Sequence, residues 1–364
     1  MNPSEKPPFH STYTPNIPEI LWKNQLTLVI TTYQAGKVIF ISASSENGLI
    51  QLPRDFQKAM GMAYHQGKMA VATREEVVVL KSTSALAKGY PKMPNTYDGL
   101  FLPRSLYFTG EVDIHDMAWG NEGLWAVNTR FSCLSLINDN YSFEPKWKPK
   151  FVSDLVPEDR CHLNGMAMKE GRPEYVTALG TTNKEFGWRE NKTKGGVLVH
   201  VPSGEILTSG LAMPHSPRLE GNKLFVLLSA TGELISVDQQ SGQYEVMTKI
   251  PGFVRGMSRY GNLLFIGLSK MRKSSATFKD LPIAQESVFP GVVVVDANTG
   301  NIVGHIKYET SLEEIYDIKI IAGMQRPGIL GVNTDDHRAG LSLPNQGFWA
   351  FPREKDETGM AGAN

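Results

Sequence analysis

In a chain of 364 residues, 37 basic side chains cancel 37 acidic ones, so no long-range field favours nucleic acid or an anionic membrane surface. Hydrophobic residues make up 41%, enough to bury a large core, yet no apolar stretch reaches the length of a bilayer. The two cysteines, Cys133 and Cys161, are too few for a disulfide scaffold and lack zinc-site spacing, so both are expected as buried thiols.

In chain order, residues 1–8 carry three prolines and read as a loose end. They belong to an N-terminal tail, 1–18, in which residues 10–13 offer a strand to complete a blade at the far end of the chain. Residues 18–24 read as a short helix or as an innermost strand. Residues 26–41 read as the second and third strands of a first unit. The next unit opens at Met60-Gly61-Met62-Ala63 and leads into Met69-Ala70-Val71-Ala72 and Val77-Val78-Val79-Leu80. Ile114-His115-Asp116-Met117 leads into Leu124-Trp125-Ala126-Val127 and Leu134-Ser135-Leu136-Ile137, and Asn164-Gly165-Met166-Ala167 into Tyr175-Val176-Thr177-Ala178 and Val197-Leu198-Val199. Pro214-His215-Ser216-Pro217 precedes Leu224-Phe225-Val226-Leu227 and Leu234-Ile235-Ser236-Val237; Arg255-Gly256-Met257-Ser258 precedes Leu263-Leu264-Phe265-Ile266 and Val292-Val293-Val294-Val295. A last unit runs from Tyr316-Asp317-Ile318-Lys319 through Gly328-Ile329-Leu330 to Phe348-Trp349-Ala350-Phe351, and residues 354–364 form a polar tail.

Units spaced by about forty to about sixty residues, each of short β-branched strands separated by Gly, Asn and Asp, suit a four-stranded propeller blade. The expected fold is therefore an all-β propeller filling residues 19–353 as one domain, with seven blades favoured and six as the alternative. The start of the chain has neither a basic region nor a following apolar run, so a cytoplasmic protein is expected.

Aligning the units places Met60, His115, Asn164, His215, Arg255 and Tyr316 at the entry to the innermost strands, facing the axis. The ends of the second strands supply a second ring that includes Thr31, Arg130 with Thr129, Ser229 and Lys270. The long loops, 153–163, 182–194, 270–290 and 335–346, emerge on the same face. His115, His162 and His215 from consecutive blades are expected to carry acid–base chemistry with Asn164 and Tyr316, or to bind a divalent transition metal such as Zn, Fe, Mn or Cu. Glu158, Asp159 or Glu314 would complete or orient that metal site. Arg130, Arg218 and Arg255, with Asp116 and Asp317, are expected to hold substrate; for Arg218 and Arg255 the rival expectation is a fork that ties blades through Asp116 or Asp317. No nucleotide-cofactor motif occurs.

Tyr33-Gln34-Ala35-Gly36-Lys37, Glu158-Asp159-Arg160-Cys161-His162-Leu163-Asn164-Gly165, Pro214-His215-Ser216-Pro217-Arg218, Pro251-Gly252-Phe253-Val254-Arg255-Gly256 and Glu313-Glu314-Ile315-Tyr316-Asp317 resemble successive signatures of a bacterial family usually labelled hypothetical. Some of its members are attached to tetratricopeptide repeats, and the resemblance runs from about Leu26 to about Leu330. It implies the fold and no activity. Leu163-Asn164-Gly165-Met166-Ala167 is also similar to the blade start of gluconolactonase and strictosidine-synthase-like propellers, which implies an axial cation held by an asparagine. The leading expectation is an enzyme, a hydrolase, lyase or isomerase, acting on a small polar or anionic molecule. The alternative is a platform that binds a protein or peptide through Trp147, Phe186 and Trp188.

Overall fold

The structure, a computed structural model, describes residues 6–270, 278, 280–286 and 289–350. The first five residues of the N-terminal tail, part of the loop 270–290, Phe351 and the tail from residue 354 lie outside the described residues.

Six four-stranded antiparallel sheets form the body. From the axis outward, blade 1 is Asp317–Ala322, Leu26–Thr32, Lys37–Ser45 and Gly48–Asp55; blade 2 is Met62–His65, Lys68–Ala72, Glu76–Thr83 and Leu100–Phe108. Blade 3 is Ile114–Gly120, Gly123–Asn128, Cys133–Ile137 and Glu144–Trp147, and blade 4 is Leu163–Lys169, Arg172–Ala178, Gly196–His200 and Glu205–Leu211. Blade 5 is Pro214–Glu220, Lys223–Leu228, Glu233–Val237 and Tyr244–Lys249; blade 6 is Phe253–Tyr260, Leu263–Ser269, Gly291–Asp296 and Ile302–Tyr308. Each innermost strand packs against the next, and that of blade 6 against Asp317–Ala322, so the ring closes. The molecule is a six-bladed β-propeller.

Six replaces the favoured seven for one reason. The N-terminal unit and the last unit, each counted as a blade, are parts of the same sheet, since Leu26 pairs with Ala322 and Thr31 with Asp317. Ser11–Tyr13 does return to the far end of the chain, but as a fifth strand beside Ile302–Tyr308 of blade 6. Gly328–Ile329 is a short parallel addition to Leu100–Phe108, and Gly340–Leu343 with Gln346–Trp349 forms a separate hairpin. Residues 16–23 are the helical alternative, Asn16–Lys23, with Ile17 and Leu21 fully buried against blades 1 and 6.

Stacking blades face to face buries the middle strands on both sides. That is why Leu26–Thr32 and Cys133–Ile137 are buried at every position and read as continuous apolar runs instead of alternating ones. The core is correspondingly divided into layers between blades: Val29 and Phe40 of blade 1 pack with Met62, Met69 and Val78 of blade 2. Met62, Met117, Met166 and Met257 fill these layers and are at most 3% exposed. Both cysteines are buried, and burial pushes both thiols up to about 12, so neither is a nucleophile. No helix among the described residues is long and apolar enough to cross a membrane.

The inner strands approach closely where glycine permits it. Gly256 has φ +73°, and a Cβ there would stand 2.8 Å from the Cα of Asp317 in blade 1. Gly256→Ala is expected to cost about 2 kcal/mol from backbone strain alone, with equilibrium urea unfolding as the check.

A polar cavity on the propeller axis

The inner strands are not regular where they reach the axis. In blade 3, Ile114 pairs with Asn128 and Met117 with Ala126, leaving His115 and Asp116 opposite Val127 alone. Blade 4 inserts Asn164 between pairs Leu163–Ala178 and Gly165–Thr177. Blade 5 sets Ser216 and Pro217 against Val226, and blade 6 sets Arg255 and Gly256 against Gly267. A bulge turns the side chains of a strand away from strict alternation. Here four bulges occur at the same level of the ring, beside or at the residues that face the axis.

The hydrogen bonds repeat every two blades. Thr31 Oγ1, Thr129 Oγ1 and Ser229 Oγ each donate to the entry of the next blade, at Met60 O (2.7 Å), Leu163 O (2.6 Å) and Val254 O (2.6 Å). Asp317, Asp116 and Ser216 each accept an N–H from that same next strand: Met62 (2.9 Å), Met166 (3.2 Å) and Gly256 (3.0 Å). Tyr316, His115 and His215 precede these three acceptors directly in sequence. The inner ring is thus a pseudo-threefold arrangement of blade pairs, with a phenol and two imidazoles at equivalent points.

This repetition fixes the two imidazoles in one tautomer. His115 Nδ1 lies 2.9 Å from Asp113 O and 2.7 Å from Thr129 Oγ1; His215 Nδ1 lies 3.0 Å from Met213 O and 2.8 Å from Ser229 Oγ. A carbonyl only accepts, and each hydroxyl has already given its proton to a carbonyl of the next blade. Nδ1 must therefore be the donor in both rings, which leaves Nε2 as a lone-pair acceptor. Asp113 and Met213 aim their carbonyls through left-handed backbone, at φ 52° and 53°.

Both rings line one cavity of about 510 Å³, together with His162, Arg255, Tyr316, Glu314 and Lys270. His115 meets His162 edge to face at 4.8 Å and Tyr316 at 5.4 Å, and Arg255 Cζ lies 3.4 Å over the Tyr316 ring. Burial, then the neighbouring His162 and Arg255, hold the His115 imidazolium well below the usual histidine range. Burial and Arg255 do the same at His215. Burial pushes the Tyr316 phenol upward, so it stays protonated. Arg255 Nη2 and the Tyr316 hydroxyl are buried without a hydrogen-bond partner, and Arg255 forms no ion pair among the described residues.

The third imidazole is held differently. His162 has φ 51°, and its Nδ1 lies 2.9 Å from Asp159, a carboxylate that also accepts the Trp188 indole N–H at 3.0 Å. Trp188 stacks on His162 at 4.4 Å and is 4% exposed, so its ring is buried against the imidazole and is not presented at the surface. Among the three aromatic residues expected as anchors, Phe186 is exposed, and Trp147 is half-buried.

The remaining expected site residues lie elsewhere. Arg218, Asp116 and Asp317 do not line the cavity; they form a buried knot deeper along the same strands, where Arg218 Nη1 reaches Asp116 at 2.8 Å and Lys319 Nζ reaches Asp317 at 2.8 Å. This is the blade-tying alternative for Arg218. Burial pushes the Asp116 carboxyl up, but Arg218 and Lys319 outweigh it and hold it below the carboxylate range. Arg130 is exposed outside the lining, and Glu158 is engaged with Arg160 at 2.8 Å. Asn164 Oδ1 accepts from Thr177 Oγ1 at 2.7 Å, and Asn164 does not line the cavity. Among the described residues no group of three or more His, Cys, Asp or Glu is arranged to hold a metal ion. The Arg255 charge, felt by His115 and His215, opposes a second cation beside them.

Sequence reading missed Tyr33, Asp113, Met213 and Phe253, which also line the cavity. Asp113 and Met213 had a signal, since each stands two positions before its histidine.

The family model described as "Domain of unknown function (DUF4915)" matches residues 15–330. No curated protein matches the chain. Among solved structures, a chain of a nidogen/laminin complex and a protein of unknown function from Bacteroides caccae are each 11% identical, with TM-score 0.49, covering 81% of this chain and 98% of theirs. A streptogramin B lyase is 11% identical, with TM-score 0.39, covering 78% of this chain and 76% of its own.

Proposed function

The chain belongs to the DUF4915 family, and we propose that it is an enzyme that binds a small organic anion in the axial cavity and moves protons on it with His115 and His215. The observation that carries this reading is the buried Nη2 of Arg255, without a hydrogen-bond partner, in a cavity that it lines together with two imidazoles whose Nε2 atoms are lone-pair acceptors. An arginine that makes no ion pair among the described residues is costly to keep in a cavity unless an anion completes it. A carboxylate or phosphate oxygen at Nη2 would also take the Tyr316 O–H, which supports placing the ligand's charge there.

Two neutral imidazoles on different blades are suited to remove a proton from one side of a bound molecule and return it at another. Hydrolysis, elimination and isomerisation share that requirement.

Calorimetric titration with a series of small carboxylates and phosphate monoesters tests the reading. Arg255→Met is expected to weaken the best ligand by at least about tenfold, as loss of a charged hydrogen bond does. Unchanged affinity in that variant would overturn the proposal.

A further inference from the structure

We infer that the ligand is a polyhydroxylated carboxylate, with its carboxylate on Arg255 and two separate hydroxyls donating to His115 Nε2 and His215 Nε2. This rests on the cavity being an anion site and adds what the rest of the ligand must be.

The argument is a count of donors and acceptors. Arg255 Nη2, the Tyr316 O–H and the Lys270 ammonium can give protons to an anion. The two Nε2 atoms cannot, because Thr129 and Ser229 hold the only ring proton of each imidazole on Nδ1. A bare phosphate or simple carboxylate would satisfy the first group and leave both nitrogens facing oxygen lone pairs. The ligand must therefore carry donors of its own.

Hydroxyl and ammonium are the available choices, and Arg255 decides between them. Its charge already opposes a cation at both imidazoles, and it would oppose a ligand ammonium placed against them in the same way. Because the two histidines stand on blades 3 and 5, they call for two hydroxyls and not one. The cavity, at about 510 Å³, is far larger than a single oxyanion needs and falls in the range of small-molecule sites. Beside His215, Phe253 at 6.0 Å and then Phe278 supply an aromatic wall for the C–H face of a hydroxylated ring.

The neutral state of the rings is essential to the count. The charged and titratable groups around them are Asp113, which is paired with Lys58 at 3.2 Å, His162, Arg255, Lys270, Glu314 and Tyr316. Protonation would turn each Nε2 into a donor and remove the preference for hydroxyls, so that preference is expected at neutral pH and is lost in acid.

The test is calorimetric titration of the full chain with quinate and glucuronate, set against cyclohexanecarboxylate, which lacks hydroxyls, and myo-inositol, which lacks the carboxylate. At least one hydroxylated carboxylate is expected to bind about tenfold or more tightly than either control. His215→Phe is expected to abolish that margin while leaving cyclohexanecarboxylate affinity unchanged. Should His215→Phe fail to fold, His115→Phe is the second variant and is expected to narrow the margin in the same way. If cyclohexanecarboxylate binds as tightly as quinate and glucuronate and still needs Arg255, the hydroxyl assignment is overturned and the anion cavity stands. If no carboxylate binds, both fall.

Discussion

Replacing Arg218 with methionine is expected to lower the free energy of unfolding by about 3–5 kcal/mol, whereas the same change at Arg255 leaves it unchanged or raises it. Both arginines face the axis from inner strands, and both were candidates for substrate binding and for tying blades. Their partners separate them. Arg218 bonds Asp116 at 2.8 Å, Met257 O at 2.9 Å and Met166 O at 3.1 Å, and so joins blades 5, 3, 6 and 4. With Arg218 gone, Lys319 alone remains to neutralise Asp116 and Asp317, whose side chains are 7% and 4% exposed. One carboxylate is then buried without compensation. Arg255 has no such duty: methionine in its place removes a buried, unpaired N–H and keeps the apolar stem over Tyr316. Urea midpoints at a constant m-value measure the contrast. Equal losses for the two variants would mean that Arg255 is a structural tie and that the anion site has been misplaced.

The hundred-residue interval between His115 and His215 was legible because each blade must present its inner strand to the same axis. That spacing is also two blades, and Tyr316 continues it; the pairwise repeat emerges only from Thr31, Thr129 and Ser229 reaching into the following blade. Seven units were read where six blades exist because Leu26–Thr32 and Asp317–Ala322 each look like part of a complete unit. Nothing local records that strands so far apart in sequence are partners. The bulges were invisible for a related reason. Alternation in Ile114-His115-Asp116-Met117 predicts which side each residue takes in a regular strand, and the extra residue opposite Val127 is a property of the pair. The metal reading drew on residue type, which sequence supplies; which ring nitrogen keeps the proton depends on what touches Nδ1, which it does not. Arg218 shows the limit from the other side, since its partners Asp116 and Met257 lie about a hundred and about forty residues away.

Stability is expected to fall as pH drops below about 6.5, with each of the two axial histidines contributing a slope of up to about 1.4 kcal/mol per pH unit. The sign follows from which state takes up the proton. In the unfolded chain both imidazoles titrate near their ordinary value, about 6.5, whereas in the folded protein burial and Arg255 hold both well below it. Between those values the unfolded state binds more protons, so stability is fully present above 6.5 and is lost as pH falls toward the folded values. Asp116, held below the carboxylate range, acts in the same direction but only under pH 4. The histidine window is therefore separate from acid unfolding of carboxylates. Urea unfolding at half-unit steps from pH 8 to pH 5 should show a plateau and then a decline, halved in His115→Gln or His215→Gln and nearly flat in the double variant. A decline that persists undiminished in the double variant would place the proton uptake elsewhere. It would also remove the neutral imidazoles on which proton transfer in the cavity depends.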